Sequence, residues 1–388
     1  MVEGGVAQVS HPSGKGPSAQ TAAFECVGDE EGVFLGGTRT PGALAVSGPA
    51  SRVAWVDYSK GICIFLVVML HANGAVGELR GATGWLDHVV AFARPFRMPD
   101  FFLIAGLFLH RTIERPWRTY LEKKVLHFAY FYALWATLQF GLFTAREALL
   151  SGQSLAQIGR RYLWLFVQPD GSLWFIHSLA VYFVIVRLTR RAPRWLMLAV
   201  CGGLQIANVD TGWTVVDEFA RRFVYFYSGY ALSTHVFRIA DWGFEHGRGM
   251  LGYLLAWGVV NQVCVARGWA ALPGAGLALG YLGAIAVVFF GVLLSRAPAT
   301  GWLRYLGENS IVVYLGYYVC ERALLKLGVG LTLDVGSAAL VLTLGSVLGA
   351  LALFWTATRA GVTFPYRRPR RVRVPPPAGV PEARPLAA

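Results

Sequence analysis

The sequence predicts an all-α fold, a polytopic transmembrane helical bundle of about ten spans with both termini cytoplasmic. Three observations predict it. Of 388 residues, 55% are hydrophobic and 15% charged, whereas soluble domains average about 45–50% and about 25%. Apolar runs long enough to cross a bilayer recur along most of the chain. Basic residues gather in the loops between those runs.

Residues 1–50 are rich in Gly, Ser, Ala and Pro and lack periodicity, so a disordered leader is expected there. No apolar h-region with a cleavage site stands out. The membrane domain is expected over 51–360. Its first span lies near Ser59–Val76 (KGICIFLVVMLHANGAV). The second runs near Met98–Leu109 and is extended upstream by the apolar stretch 85–96, with Pro95 and Pro99 expected to bend or restart it. The third covers 125–144, the fourth 172–188, the fifth 195–208 and the sixth 223–237. The seventh covers 250–266, the eighth 274–295, the ninth 309–327 and the tenth 336–356. The segment 145–161 (REALLSGQSLAQIGRR) is too polar to span and is expected at the interface. Residues 361–388 form a basic, Pro-rich cytoplasmic tail. No internal repeat is evident.

Orientation follows from the loops. Arg111, Arg115, Arg118, Lys123 and Lys124 follow span two. Arg187, Arg190, Arg191 and Arg194 follow span four. Arg367, Arg368, Arg370, Arg371 and Arg373 lie in the tail. Ten spans put all three groups on one side, the cytoplasmic one. Asp210, Asp217 and Glu218 fall on the other side, as do the contrary Arg146, Arg160, Arg161, Arg221 and Arg222.

The net charge of +13 fits the same loop bias. The basic residues are scattered between apolar runs, which argues against nucleic acid as a partner and leaves the lipid bilayer as the first one. The five cysteines contain no CxxC, and four lie in apolar stretches. They read as structural thiols, with neither a disulfide framework nor a metal site. P-loop, HExxH and GxSxG patterns are absent.

Ionisable groups within a span are costly and mark function by default. Asp57, Lys60 and His71 provide the clearest case. Eleven residues turn only about 20° past three full turns, so Lys60 and His71 share a helical face about 16 Å apart along the axis. Asp57 lies within about 60° of both. A cation at the inner mouth can hold an anionic donor, and a desolvated imidazole further in can act as a base. The same residues also fit a snorkelling lysine and a histidine capping the outer helix end.

Arg115 and Arg118 in RTIERPWR are i, i+3, so on a helical turn both guanidiniums would point one way and suit phosphate oxygens. A generic positive-inside loop would show the same pair. Trp117 and Trp174 fit an interface belt. Asn309 and Ser310 fit helix caps, Tyr314 follows them on the same span, and Glu321 can pair with Arg322. His177, in GSLWFIHSLAVYF, reads as a core histidine more readily than a functional one.

Four stretches together, WVDYSKGICIFLVVMLH, PFRMPDFFLIAGLFL with RPWR, GSLWFIHSL and LGENSIVVYLGYY, resemble the acyltransferase family 3 proteins. Their order and spacing fit from about 51 to 360. These are bacterial membrane enzymes that O-acylate sugars and other extracytoplasmic acceptors. The resemblance implies an inner-membrane O-acyltransferase with acyl-CoA, acetyl-CoA in the simplest case, as donor and no metal. The acceptor would be a saccharide or lipid-linked glycan hydroxyl. His71 matches the family's essential histidine and Asp57 its acidic residue. Lys60 takes the place of the usual Arg, and Arg115 and Arg118 match its R-x-x-R pair. Lys60, Arg115 and Arg118 would hold the CoA phosphates, with His71 as base or transient acyl carrier and Asp57 orienting Lys60. Trp174, His177, Asn309, Ser310 and Tyr314 are candidates for substrate contact. Tyr317 stands where many members carry His, and Ala105 where Ser is frequent. A stand-alone form without the appended esterase-like domain of some members is expected. The rival reading is a secondary transporter or flippase, which would call for inverted repeats with paired broken helices.

Overall fold

The computed structural model describes residues 51–369 apart from 170 and 331. The expected leader and the tail beyond 369 lie outside the described residues. Every regular element among the described residues is helical.

The first helix, α1, runs Ser51–Arg80 and stops where Gly81 takes a φ of 59°, the left-handed conformation that closes helix ends. The second expected span is two helices, α2 (Leu86–Ala93) and α3 (Arg97–Gly106). The chain breaks around Pro95 and restarts with Pro99 in the first turn of α3, where a missing N–H costs nothing. One long helix, α4, follows over Trp117–Leu150, with wide π-type turns at Leu121–Leu126 and Phe140–Ala145. Then come α5 (Leu155–Trp164), α6 (Trp174–Leu188) and α7 (Arg194–Ile206). After them lie α8 (Thr214–Ala231), α9 (Ser233–Glu245), α10 (Gly247–Ala266) and α11 (Ala275–Ser295). The chain ends with α12 (Gly301–Glu308), α13 (Ser310–Lys326) and α14 (Val335–Arg359).

Five helices have the length and apolarity a membrane crossing needs: α1 from Ala54, α4, α10, α11 and α14. Helices α6 and α7 are apolar but shorter.

Helix α1 is the hub, packed on α3, α11, α12, α13 and α14. Glycine makes two of the closest crossings possible. A Cβ at Gly61 would strike the Leu303 carbonyl of α12, and one at Gly307 the Asp57 carbonyl of α1. Gly106 and Gly229 do the same for α3 and α8, against the Phe226 and Leu103 carbonyls. Bare backbone at the interface lets membrane helices approach this closely.

Contacts define two ends of the bundle. Trp55 and Phe108 both meet the Phe237 ring. Arg296 donates to the Gly243 and Phe244 carbonyls, and the Trp355 indole donates to the Tyr305 hydroxyl at 2.9 Å. The start of α1 and the ends of α3, α11 and α14 therefore share one end, which carries Lys60. His71 lies towards the other.

Three expectations need correction. The segment 223–237 is not one helix, because it straddles a break at Leu232 between α8 and α9. Helix α8 begins earlier, through Asp217, Glu218, Arg221 and Arg222. Glu218 lies 3.1 Å from Arg222 and 3.8 Å from Arg221, so the charges that would end an apolar run neutralise one another. The polar stretch 145–161 is not one surface segment either. It holds the last turn of α4 and the start of α5, where Ser154 and Gln157 form a reciprocal capping box. Finally, packing does not stop at 360. Tyr366 is buried against Trp135 and Phe354, and Arg368 pairs with Glu122 of α4 at 2.8 Å.

Candidate functional site

Lys60 is buried, with its Nζ 3.2 Å from Asp57 Oδ1 one turn earlier. The two form an ion pair within one turn of α1. The lysine does not snorkel out. It lines an apolar slot with Phe101 of α3, Phe175 of α6, and Ser310 and Tyr314 of α13. Lys60, Ser310 and Tyr314 are thus brought together by two helices, α1 and α13. The Tyr314 hydroxyl donates to the Ser172 carbonyl just before α6, with its ring in the wall of the slot.

His71 lies beyond that wall, on the same face of α1 as Lys60 but three turns on. Its ring packs against Tyr317 at 5.4 Å between centroids, and Tyr317 packs against Tyr314 at 6.2 Å. The aromatic pair separates slot from imidazole, so the two ends of the expected conduit are joined by side chains rather than by an open channel. His71 is half-buried and keeps ring nitrogens free of protein hydrogen bonds among the described residues, as a group meeting a substrate must.

The other candidates fall elsewhere. Arg115 and Arg118 do not share a helical turn. Pro116 sits between them with ψ 142° as the residue before α4, so Arg115 belongs to the loop and Arg118 to the helix. A proline disfavours helical backbone in the residue before it. Both remain at the Lys60 end, Arg118 exposed and Arg115 half-buried. Asn309 does not cap α13. Its Nδ2 reaches back 2.9 Å to the Tyr305 carbonyl and closes the end of α12 instead. Trp174 packs on Phe102. His177 packs on Tyr132 at 5.0 Å, a core position away from the His71–Tyr317 contact. Glu321 does not pair with Arg322, which reaches Glu147 at 3.7 Å.

Several buried charged groups near these residues were not singled out from sequence. Arg187 at the end of α6 is buried between the Trp117 and Tyr120 rings, 5.3 and 5.4 Å from their centroids. It donates to the Arg115 carbonyl at 2.7 Å, while its Nε and Nη1 have no partner. A third cation therefore backs the R-x-x-R pair. Towards the other end, Arg97 and Asp100 of α3 are both buried with unpartnered polar atoms, as is Glu321 of α13 one turn past Tyr317. Arg97 lies within electrostatic reach of His71. Both Arg97 and Asp100 stand in the apolar run PFRMPDFF, and the rule that marked Lys60 and His71 marks them equally.

The arrangement has a cationic end and a second polar end containing the half-buried His71 imidazole, linked by one helix face. It can hold a polyanion at the first end and remove a proton at the second.

Residues 53–358 match the acyltransferase domain family. The inner membrane protein YcfT of Escherichia coli (strain K12) is 27% identical over 197 residues, covering 45% of this chain and 55% of that protein. The chain thus spans about half the length of this curated relative. No solved structure matches it.

Proposed function

The chain belongs to acyltransferase family 3, and on that premise we propose that it moves an acyl group, acetyl in the simplest case, from cytoplasmic acyl-CoA to an extracytoplasmic hydroxyl. The acceptor class is a saccharide or a lipid-linked glycan. The protein is a multi-pass membrane protein, and the naming of YcfT as an inner membrane protein supports the same location here. The alternation of helix ends supports ten crossings. The Lys60 end gathers Arg111, Arg115, Arg118, Arg187, Arg190 and Arg194, which supports a cytoplasmic assignment for it. The contrary Arg221 and Arg222 are offset by Asp210 and Glu218.

One observation carries the reading. A buried, Asp57-oriented lysine lines a slot at one end of α1, and a hydrogen-bond-free imidazole lies on the same face about 16 Å away. Charged CoA cannot cross the bilayer, so its phosphates dock on Lys60, Arg115, Arg118 and Arg187. The long pantetheine arm enters beside Tyr314 and carries the thioester towards His71, which requires the Tyr314 and Tyr317 rings to turn aside. A His71 nitrogen takes the acceptor's hydroxyl proton as its oxygen bonds to the thioester carbonyl. The carbon–sulfur bond then breaks, and the leaving thiolate takes the proton from the imidazolium. If His71 carries the acyl group instead, its nitrogen attacks first and the acceptor displaces it.

The test measures CoA release and acyl incorporation in membranes carrying wild type, His71→Gln or His71→Ala at matched expression. Loss of both activities by at least about a hundredfold is expected, the lower range for a general base. Wild-type transfer in either variant removes His71 as base and as carrier.

A further inference from the structure

Arg97 has a position that the acyl-transfer reading does not explain. It is 6% exposed, and its Nε and Nη1 are buried without any hydrogen-bond partner. Among the described residues no ion pair neutralises it. Asp100, one turn on along α3, is buried within electrostatic reach of Cys63 of α1 and Tyr225 of α8, and neither of its oxygens has a hydrogen-bond partner among the described residues. Arg222 of α8 and Arg94, both cationic, act electrostatically on Arg97, and Glu218, the carboxylate paired with Arg222, is shared with Arg221. From α1 the facing group is His71.

A buried guanidinium without a counter-ion is costly, and a planar fork with two open nitrogens matches a carboxylate or phosphate edge. We infer that Arg97 binds an anionic group on the acceptor, so that the protein acts on an acidic saccharide whose carboxylate or phosphate sits on Arg97 while its hydroxyl meets His71. Arg222 and Arg94 add positive field without closing the site. This inference rests on His71 being the acceptor end and extends that reading to the class of acceptor.

The test follows thermal stability of the full-length purified protein in nanodiscs with methyl glucuronoside, glucose 1-phosphate or methyl glucoside. The first two differ in the anionic group, and the third has none. Wild type should be stabilised by at least one acidic sugar and not by methyl glucoside. Arg97→Gln should weaken that binding by about tenfold or more, tenfold being about 1.4 kcal/mol. Arg97→Lys keeps the charge but not the planar fork and should restore only part of it. If Arg97→Gln does not fold, the wild-type contrast between acidic and neutral sugars decides the matter. Equal responses to all three sugars, or unweakened binding in Arg97→Gln, overturn the inference. Acidic-sugar binding without acyl transfer to any of them leaves the Arg97 site standing and counts against acyl transfer. Equal transfer to all three leaves acyl transfer standing and removes the Arg97 site.

Discussion

Gly307→Ala should loosen the crossing that positions Asp57 and Lys60. A Cβ at Gly307 would fall on the Asp57 carbonyl oxygen, 2.6 Å from its carbon and 2.9 Å from the Gly61 nitrogen. Ordinary contact begins at 3.4 Å, and the carbonyl oxygen is nearer than its carbon, so α12 must retreat from α1 by more than about 0.8 Å in a closely packed interface. Overfilling a packed contact costs about 1–3 kcal/mol. The obstacle here is backbone, which has no rotamer to yield, so the upper figure applies. Gly301, on the same short helix, has open space around it. Its change to Ala removes only glycine's excess freedom and should gain about 0.5–1 kcal/mol. The two variants should therefore differ by about 3–4 kcal/mol, read as a separation of several degrees in thermal unfolding in one detergent. Donor KM should rise in Gly307→Ala and stay level in Gly301→Ala. Equal stability of the two would refute the close α1–α12 approach and the fixed Lys60 that depends on it.

Arg118→Glu, a reversal of an exposed charge at the Lys60 end, should raise the donor KM by about tenfold while kcat stays within about twofold, the pattern of lost ground-state binding. An unchanged KM would return Arg118 to a purely topological role. Asp334, before α14, has its carboxyl held below the usual range by the Ser337 hydroxyl and amide and the Gly336 amide. A lowered folded value means its stabilisation is present above the unfolded value, about 3.9, and is lost as pH falls through the folded one. Acid unfolding scans should show this loss in wild type and not in Asp334→Asn, and identical slopes below about pH 4 would contradict the cap.

The sequence made the hub helix legible because its cue is local. The register of Lys60 and His71 follows from helical rise and turn alone, and the break at Pro95 follows from proline chemistry. The family's domain, matched over 53–358, was equally legible from four ordered stretches. What was misread depended on partners far along the chain or on a neighbouring residue's backbone. Helix α8 begins at Thr214 rather than 223 because Glu218 pairs with Arg221 and Arg222 only once the turn has formed. Pro116 should have separated Arg115 from the helix that holds Arg118. Arg97 and Asp100 carried the same intramembrane-charge cue as Lys60, but only the fold shows that they face inward and lack partners. Arg187 resembled one more loop arginine until Trp117 and Tyr120 closed over it. Arg368 resembled a tail charge until Glu122 of α4 received it.

On the proposed mechanism, acyl groups pass from the Lys60 end to the His71 end of one helix bundle. Sealed vesicles containing the purified protein, given radiolabelled acetyl-CoA on one face and an acidic saccharide on the other, test it most directly. Labelled ester should appear on the saccharide face and free CoA on the donor face, and only when donor is supplied to the Lys60 side. Saccharide flux without ester, or ester formed only when both substrates share one face, would contradict the account.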